Sequence, residues 1–162
     1  MLRTFMVALC GVTFVASLAA RQPTLPNDTT PFPQVSAEDY VGADQCKECH
    51  GDIYKSWSDT KHAKALNKLM PKDREGGTCI RCHVTGSSAM IDAEGSKPSF
   101  PHVQCEACHG PGRRHVDAAR IGSPGDGPTT KVEEATCLRC HNDGSPHYKP
   151  FFFNAMKGLV HR

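Results

Sequence analysis

The chain has 162 residues and a formal net charge of +2, with no concentrated basic segment. This nearly balanced charge gives no reason to expect nucleic-acid binding. Only 38% of the residues are apolar, whereas cysteine and histidine each occur nine times. The chemistry of the protein is therefore expected to depend on thiols and imidazoles.

Residues 1–20 are predicted to form a secretory signal peptide. A basic start at Arg3 leads into an apolar run that begins near Phe5 and closes with small residues at Ala19 and Ala20. The run is slightly short for a membrane span, and an uncleaved membrane anchor is the alternative. Residues 21–43 contain several prolines and are predicted to be an extended leader. A folded domain is then expected over residues 44–162 of a periplasmic or otherwise extracytoplasmic protein.

Four copies of the motif Cys-x-x-Cys-His lie in this domain, and each is typical of covalent c-type haem attachment. The two thiols bind the porphyrin, and the adjacent imidazole binds the iron as the proximal ligand. The predicted attachment cysteines are Cys46, Cys49, Cys79, Cys82, Cys105, Cys108, Cys137 and Cys140, and the proximal histidines are His50, His83, His109 and His141. The predicted cofactors are four covalently bound haem c groups, numbered 1 to 4 in chain order.

Paired cysteines have two other common uses in proteins. A zinc ribbon uses two Cys-x-x-Cys pairs but does not need a histidine after each one. A disulfide framework suits an exported chain with eight cysteines, but it also leaves the four histidines unexplained. The haem interpretation accounts for all twelve residues.

The predicted secondary structure consists of short helices and long loops. After the first motif, Ile53 and Trp57 share one helical face. A second helix is predicted from Lys61 to Met70, where Pro71 ends it, and it directs His62 toward the apolar side.

Loops and helices alternate in the second half of the chain. Residues 84–101 are predicted to be a loop. A turn at residues 110–112 precedes a helix that begins near Arg113 and ends near Gly122. Residues 130–133 fit a capping box for a helix that carries the fourth motif. A last helical segment is predicted from Phe152 to Arg162. The fold class is therefore mainly α, with almost no sheet.

Five histidines remain after the proximal ligands are assigned: His62, His102, His115, His147 and His161. Four haems need at most four distal ligands, so most of these residues are candidates. Two axial imidazoles give a six-coordinate iron that suits electron transfer, whereas an iron with an open position can bind a small molecule. Methionine is the rival ligand, but Met70 and Met156 are expected to lie on apolar helix faces.

Three runs of sequence resemble the tetrahaem cytochrome c-554 family: Trp57 to Ala65, Cys79 to Gly86, and Val103 to Gly112. The resemblance covers residues 44–162, about the whole predicted domain. The third run is also similar to sequences of the related hydroxylamine oxidoreductase and multihaem nitrite reductase groups.

The resemblance implies a helical fold around closely packed haems and a set of distal ligands. His62 is expected to serve haem 4, His115 haem 1 and His161 haem 3. In proteins that this chain resembles, haem 2 can lack a distal protein ligand. His102 is an additional candidate that could close haem 2, and both alternatives stay open at this point. His147 is expected to be a surface residue.

The predicted function is electron transfer between redox partners. The resemblance suggests a hydroxylamine oxidoreductase-like donor and a quinone-linked or other cytochrome acceptor, which is an analogy at the level of the family. One alternative is an enzyme that reduces nitric oxide or another small molecule at an open haem 2. A second alternative is a subunit or self-assembling module of a larger multihaem conduit. No catalytic residues other than haem ligands are predicted.

Overall fold

The computed structural model describes residues 36–74, 78–86, 99–123 and 127–161. These residues belong to one compact unit, which extends from Pro31 to Arg162. The predicted signal peptide and most of the predicted leader lie outside the described residues. No helix in the described ranges has the length and apolar character needed to cross a membrane.

Six short α-helices form the described part of the chain: α1 (Ala43–Lys47), α2 (Gly51–Ser58), α3 (Cys105–His109), α4 (Arg113–Arg120), α5 (Glu134–Leu138) and α6 (Phe153–Met156). Short 3₁₀ helices connect or extend them at Ala37–Asp39, His62–Lys64, Leu66–Lys68, Pro71–Asp73, Ile80–Cys82 and Lys157–Leu159. The described residues contain no strand, and a single isolated bridge pairs Val84 with Pro101. The prediction of a mainly helical fold with almost no sheet is confirmed.

A small apolar core supports the second attachment motif. Leu66, Ile80 and Val84 are buried and pack together, with the partly buried Leu69 against them. Ile80 lies between the two cysteines of the motif and is fully buried. Its burial fixes the attachment loop against the 3₁₀ segments that follow α2.

Helix α2 is held to the chain that precedes the third motif. Trp57 is buried at the end of α2, and its indole N–H donates to the carbonyl of Val103 over 3.0 Å. Ile53, which was predicted to share this face, is 41% exposed. The apolar face of α2 is therefore narrower than predicted.

The predicted helix over residues 61–70 is wrong in type, because the segment forms two 3₁₀ turns. The amide of Leu66 donates to Nδ1 of His102 over 3.1 Å instead of to the carbonyl four residues earlier. The carbonyl of Ala65 is likewise bonded to the ring of His83. These tertiary hydrogen bonds replace the α-helical ladder. Met70 follows in extended conformation and is exposed rather than in the core.

Of the helices predicted in the second half of the chain, one agrees with the structure and two differ from it. Helix α4 and its end before Gly122 agree with the prediction, and Gly122 has a φ of 74°. The predicted capping box at residues 130–133 is wrong, because α5 begins at Glu134 without a side-chain cap. The C-terminal segment is helical as predicted, but it ends at Leu159 as a 3₁₀ turn and leaves Met156 exposed.

Candidate haem sites

The attachment motifs adopt a helical turn in which the histidine follows the second cysteine. In the first motif the amide of His50 donates to the carbonyl of Cys46 over 2.9 Å, and the amide of His141 donates to Cys137 in the same way over 3.0 Å. Residues three and four apart share one face of such a turn. Each turn therefore presents its two cysteines and its histidine to one side, which is the arrangement that one porphyrin needs. None of the eight cysteines of these motifs forms a disulfide bond.

Three of the motif histidines lie beside a second histidine. The ring centroids of His50 and His115 are 6.3 Å apart, and those of His109 and His161 are 5.9 Å apart. The His62 and His141 rings are 6.0 Å apart. These are the three pairs that the family resemblance implied. They join residues that are 65, 52 and 79 positions apart in the chain, so the fold itself creates them.

The spacing of these pairs fits axial ligation of one iron. Two imidazoles that bind a metal ion from opposite sides, each at about 2 Å, have ring centres about 6 Å apart. Burial lowers the pKa of His62, His141 and His161. A lowered pKa favours the neutral imidazole, which is the form that binds metals.

Hydrogen bonds fix the orientation of two motif histidine rings. Nδ1 of His83 lies 2.7 Å from the carbonyl oxygen of Ala65, and Nδ1 of His109 lies 2.6 Å from that of Thr129. A carbonyl oxygen only accepts, so Nδ1 carries the hydrogen in both rings. Nε2 then keeps its lone pair for a metal, which is the usual outer-shell support of a ligating histidine.

His115 carries a buried ring nitrogen without a partner. Nδ1 of His115 makes no hydrogen bond to any described residue. A Cβ added at Gly127 would lie 3.0 Å from this atom, so only glycine leaves the ring its space. A buried, unpaired imidazole nitrogen is costly unless it finds a ligand. The residues around haem 1 fit the cofactor through the 6.3 Å spacing of the His50 and His115 rings.

His83 has no second histidine ring beside it among the described residues. His102, the remaining candidate, instead accepts the Leu66 amide hydrogen at Nδ1 over 3.1 Å. In a neutral ring this leaves the hydrogen on Nε2 and removes that lone pair. The backbone of His102 is in the left-handed region, with a φ of 70°. His147 is exposed in a turn after Ser145, as expected for a surface residue.

Thiols from different motifs also lie together. The Cys46 thiol is hydrogen-bonded to Cys105. The side chains of Cys82 and Cys140 are also hydrogen-bonded to each other. Cys108 lies near Cys137. Attachment points of motifs 1 and 3, of motifs 2 and 4, and of motifs 3 and 4 are therefore neighbours.

A cavity of about 460 Å³ adjoins His109. Arg113 and Arg114 line the same cavity, and guanidinium groups are suited to bind carboxylates such as haem propionates. Within the described ranges, no three side chains of the types His, Cys, Asp or Glu are placed to hold a metal ion by themselves.

Two supporting residues were missed in the sequence. Glu106 is buried within the third motif and accepts backbone hydrogen bonds from distant segments. Thr85 is buried after the second motif and joins it to the chain before the third. No local signal marked Glu106, because its amide partners at Val41 and Gly42 lie 65 and 64 residues earlier in the chain.

The sequence model of the family described as "Cytochrome c554 and c-prime" matches residues 45–110. Cytochrome c-554 of Nitrosomonas europaea is 34% identical over 92 residues, which is 46% of this chain and 39% of that protein. The chain thus matches well under half the length of this curated relative.

Among solved structures, reduced cytochrome c554 from Nitrosomonas europaea matches with a TM-score of 0.51 and 27% identity, over 76% of this chain and 78% of the other. A weaker likeness is to the outer cell wall cytochrome OcwA, with a TM-score of 0.41 and 20% identity over 64% of this chain and 37% of the other. The family model, the related sequence and the related structure agree that the chain is similar to cytochrome c554, and its Cys-x-x-Cys-His motifs make covalently bound c-type haem its cofactor.

Proposed function

We propose that this protein carries electrons between redox partners through four c-type haems, of which haems 1, 3 and 4 have two histidine ligands each. The proposal depends on the three histidine pairs with ring centres 5.9, 6.0 and 6.3 Å apart. A haem iron held by two imidazoles supplies a one-electron couple. The assigned pairs are His50 with His115, His109 with His161, and His141 with His62.

The protein's own contribution is to hold these rings in place. The ring of His141 is stacked on Phe151, with centroids 4.7 Å apart and planes 20° apart. Nδ1 of His109 is tied to the backbone of Thr129. Ligands that packing and hydrogen bonds have already oriented need little rearrangement when the charge at the site changes. This rigidity favours a carrier.

The neighbouring thiols indicate which haems lie next to each other in space. Cys46 contacts Cys105, and Cys82 contacts Cys140. Cys108 and Cys137 bring the third and fourth motifs together. The proposed order of neighbours is therefore haem 1, haem 3, haem 4 and haem 2. Partners that dock near haem 1 and haem 2 would use the two ends of this series.

The proposed partners follow from the family alone. A hydroxylamine oxidoreductase-like enzyme is the proposed donor, and a quinone-linked or other cytochrome is the proposed acceptor. The proposed location is the periplasm, reached through the N-terminal signal, with membrane association through an uncleaved signal as the alternative.

Reductive titration of the purified holoprotein tests the carrier function. Dithionite is added under argon while haem absorbance is followed, and haem is counted by the pyridine haemochrome assay. The expected result is uptake of four electrons for each chain, followed by full reoxidation with ferricyanide. Uptake of fewer than four electrons with four haems bound would contradict the proposal.

We further propose that haem 2 has no histidine on its distal side, which makes small-molecule chemistry a second candidate function. The supporting observation is that Nδ1 of His102 accepts a backbone hydrogen bond while His83 lacks a second ring among the described residues. Carbon monoxide added to the reduced protein should shift the Soret band of about one quarter of the haem. An unchanged spectrum would exclude the enzymatic alternative, including reduction of nitric oxide.

A further inference from the structure

Glu106 lies inside the third attachment motif, but its carboxylate binds other parts of the chain. The residue is 3% exposed. Oε1 accepts from the amides of Gly112 and Val41 over 2.7 and 3.0 Å. Oε2 accepts from the amides of Gly42 and Val41 over 2.8 and 3.3 Å. Both oxygens are therefore used, and all of these partners are backbone N–H groups.

These amides belong to the two elements that support haem 1. Gly42 is the residue before α1, which contains Cys46 and leads to His50. Gly112 is the residue before α4, which carries His115. The two helices are 65 or more residues apart in the chain, and they meet at one carboxylate. The His50 and His115 rings then lie 6.3 Å apart.

The carboxylate of Glu106 thus forms a bridge between α1 and α4. This bridge is closely packed and depends on the negative charge of the carboxylate. A buried carboxylate is costly unless its lone pairs accept hydrogen bonds, and bonds to an ionised acceptor are the stronger ones. A Cβ added at Gly112 would lie 3.1 Å from Oε1 and 3.2 Å from Cγ2 of Val41. With a φ of −102°, Gly112 has no conformational need for glycine. The close contacts with the Glu106 carboxylate and with Val41 therefore explain why this position has no side chain.

We propose that Glu106 is the positioning residue for haem 1: its carboxylate holds α1 and α4 at the separation that lets His50 and His115 bind one iron. The inference rests on the proposed bis-histidine ligation of haem 1. A residue attached to the haem 3 motif would thus control ligation of a different haem. In this role Glu106 acts through the backbone that precedes the two helices and not as an iron ligand.

Three variants test the bridge. In Glu106→Gln, the amide NH₂ must face N–H donors either at Gly42 or at Gly112, so one side of the bridge breaks. Gly112→Ala keeps the carboxylate, but the added methyl group would lie 3.1 Å from Oε1 and displace it. Glu38→Gln is the matched control, because it removes the same charge from an exposed position outside the four attachment motifs.

Low-temperature electron paramagnetic resonance of the oxidised holoproteins gives a readout of ligation rather than of activity. With haem 2 open, the wild type should have about one quarter of its haem high-spin. Glu106→Gln should raise this share to about one half, and Gly112→Ala should raise it in the same direction. Glu38→Gln should leave it unchanged. His115→Ala identifies the low-spin component that must be lost.

The outcomes distinguish a failure of the positioning role of Glu106 from a failure of the proposed ligation of haem 1. If His115→Ala loses a low-spin component while Glu106→Gln and Gly112→Ala keep it, the positioning role is refuted and the haem 1 ligands stand. If His115→Ala changes nothing, the proposed ligation of haem 1 is refuted. Where Glu106→Gln yields no folded holoprotein, Gly112→Ala decides the same question.

Discussion

Replacement of Thr85 by valine should destabilise the protein through two hydrogen bonds at a single hydroxyl. Thr85 is 1% exposed. Its Oγ1 accepts from the amide of Gln104 over 2.7 Å and donates to the carbonyl of His102 over 2.9 Å. The hydroxyl thereby joins the end of the second attachment motif to the start of the third. Thr85→Val keeps the shape of the side chain but removes both bonds.

The expected loss can be worked out from these contacts. Leaving a buried backbone group without its partner costs about 2 kcal/mol, and two groups are affected. Burial of the new methyl group offsets about 1 kcal/mol. The free energy of unfolding should therefore fall by about 3 kcal/mol in Thr85→Val. Thr85→Ser keeps the hydroxyl and loses only a methyl group, which should cost about 1 kcal/mol.

Urea unfolding of the holoproteins at 25 °C, followed by far-ultraviolet circular dichroism, measures both variants. Thr85→Val should be the less stable variant by about 2 kcal/mol. If the two variants are equally stable, or if valine is better tolerated than serine, the hydroxyl does not form the bridge and the reasoning fails.

Further changes test the haem sites and the fold. His62→Ala should raise the high-spin haem share by about one quarter, whereas His147→Ala, at an exposed position, should leave the spectrum unchanged; equal effects would contradict the assignment. Trp57→Phe removes one indole hydrogen bond and should lower the free energy of unfolding by about 1 kcal/mol in urea; no change would show that the bond contributes nothing. Gly42→Ala places a side chain at a φ of 81°. This change should cost about 1–2 kcal/mol or more of folding free energy and should lower the melting temperature. Gly51→Ala is the control, because a Cβ there would have open space, and it should leave the melting temperature unchanged.

Local patterns allowed much of the fold to be predicted. In each motif the second cysteine and the histidine follow the first cysteine by three and four residues. A single helical turn is therefore enough to bring all three to one face. Helix α4 was also predictable, because Gly-Pro-Gly precedes it and Gly122 ends it. The histidine pairs were available only from the family resemblance, since each joins residues that are more than 50 positions apart.

Features that depend on distant partners could not be predicted from local patterns. Residues 61–70 have the apolar spacing of an α-helix, but His102 takes the Leu66 amide from 36 residues away. The same hydrogen bond bears on whether His102 can ligate haem 2, a question that the composition left open. At residues 130–133 a capping-box pattern is present, yet Thr129 accepts from the Lys131 amide and the helix begins later.

The buried carboxylate of Glu106 is the clearest example of a long-range effect. Within its own motif the residue looks like any solvent-exposed acid in a short helix. Its amide partners at Val41 and Gly42 lie 65 and 64 residues earlier. Nothing in the spacing of the motif indicates them, because they come from the segment before the first helix.

Low-temperature electron paramagnetic resonance of the oxidised wild-type protein, with haem counted in the same sample, tests the central claim most directly. Three histidine pairs and one His83 without a second ring predict four haems for each chain. About three quarters of this haem should be low-spin and about one quarter high-spin. Low-spin signals from all four haems would contradict the account of haem 2 and would make His102 the first candidate for its ligand. A high-spin share of one half or more would contradict the paired histidines themselves.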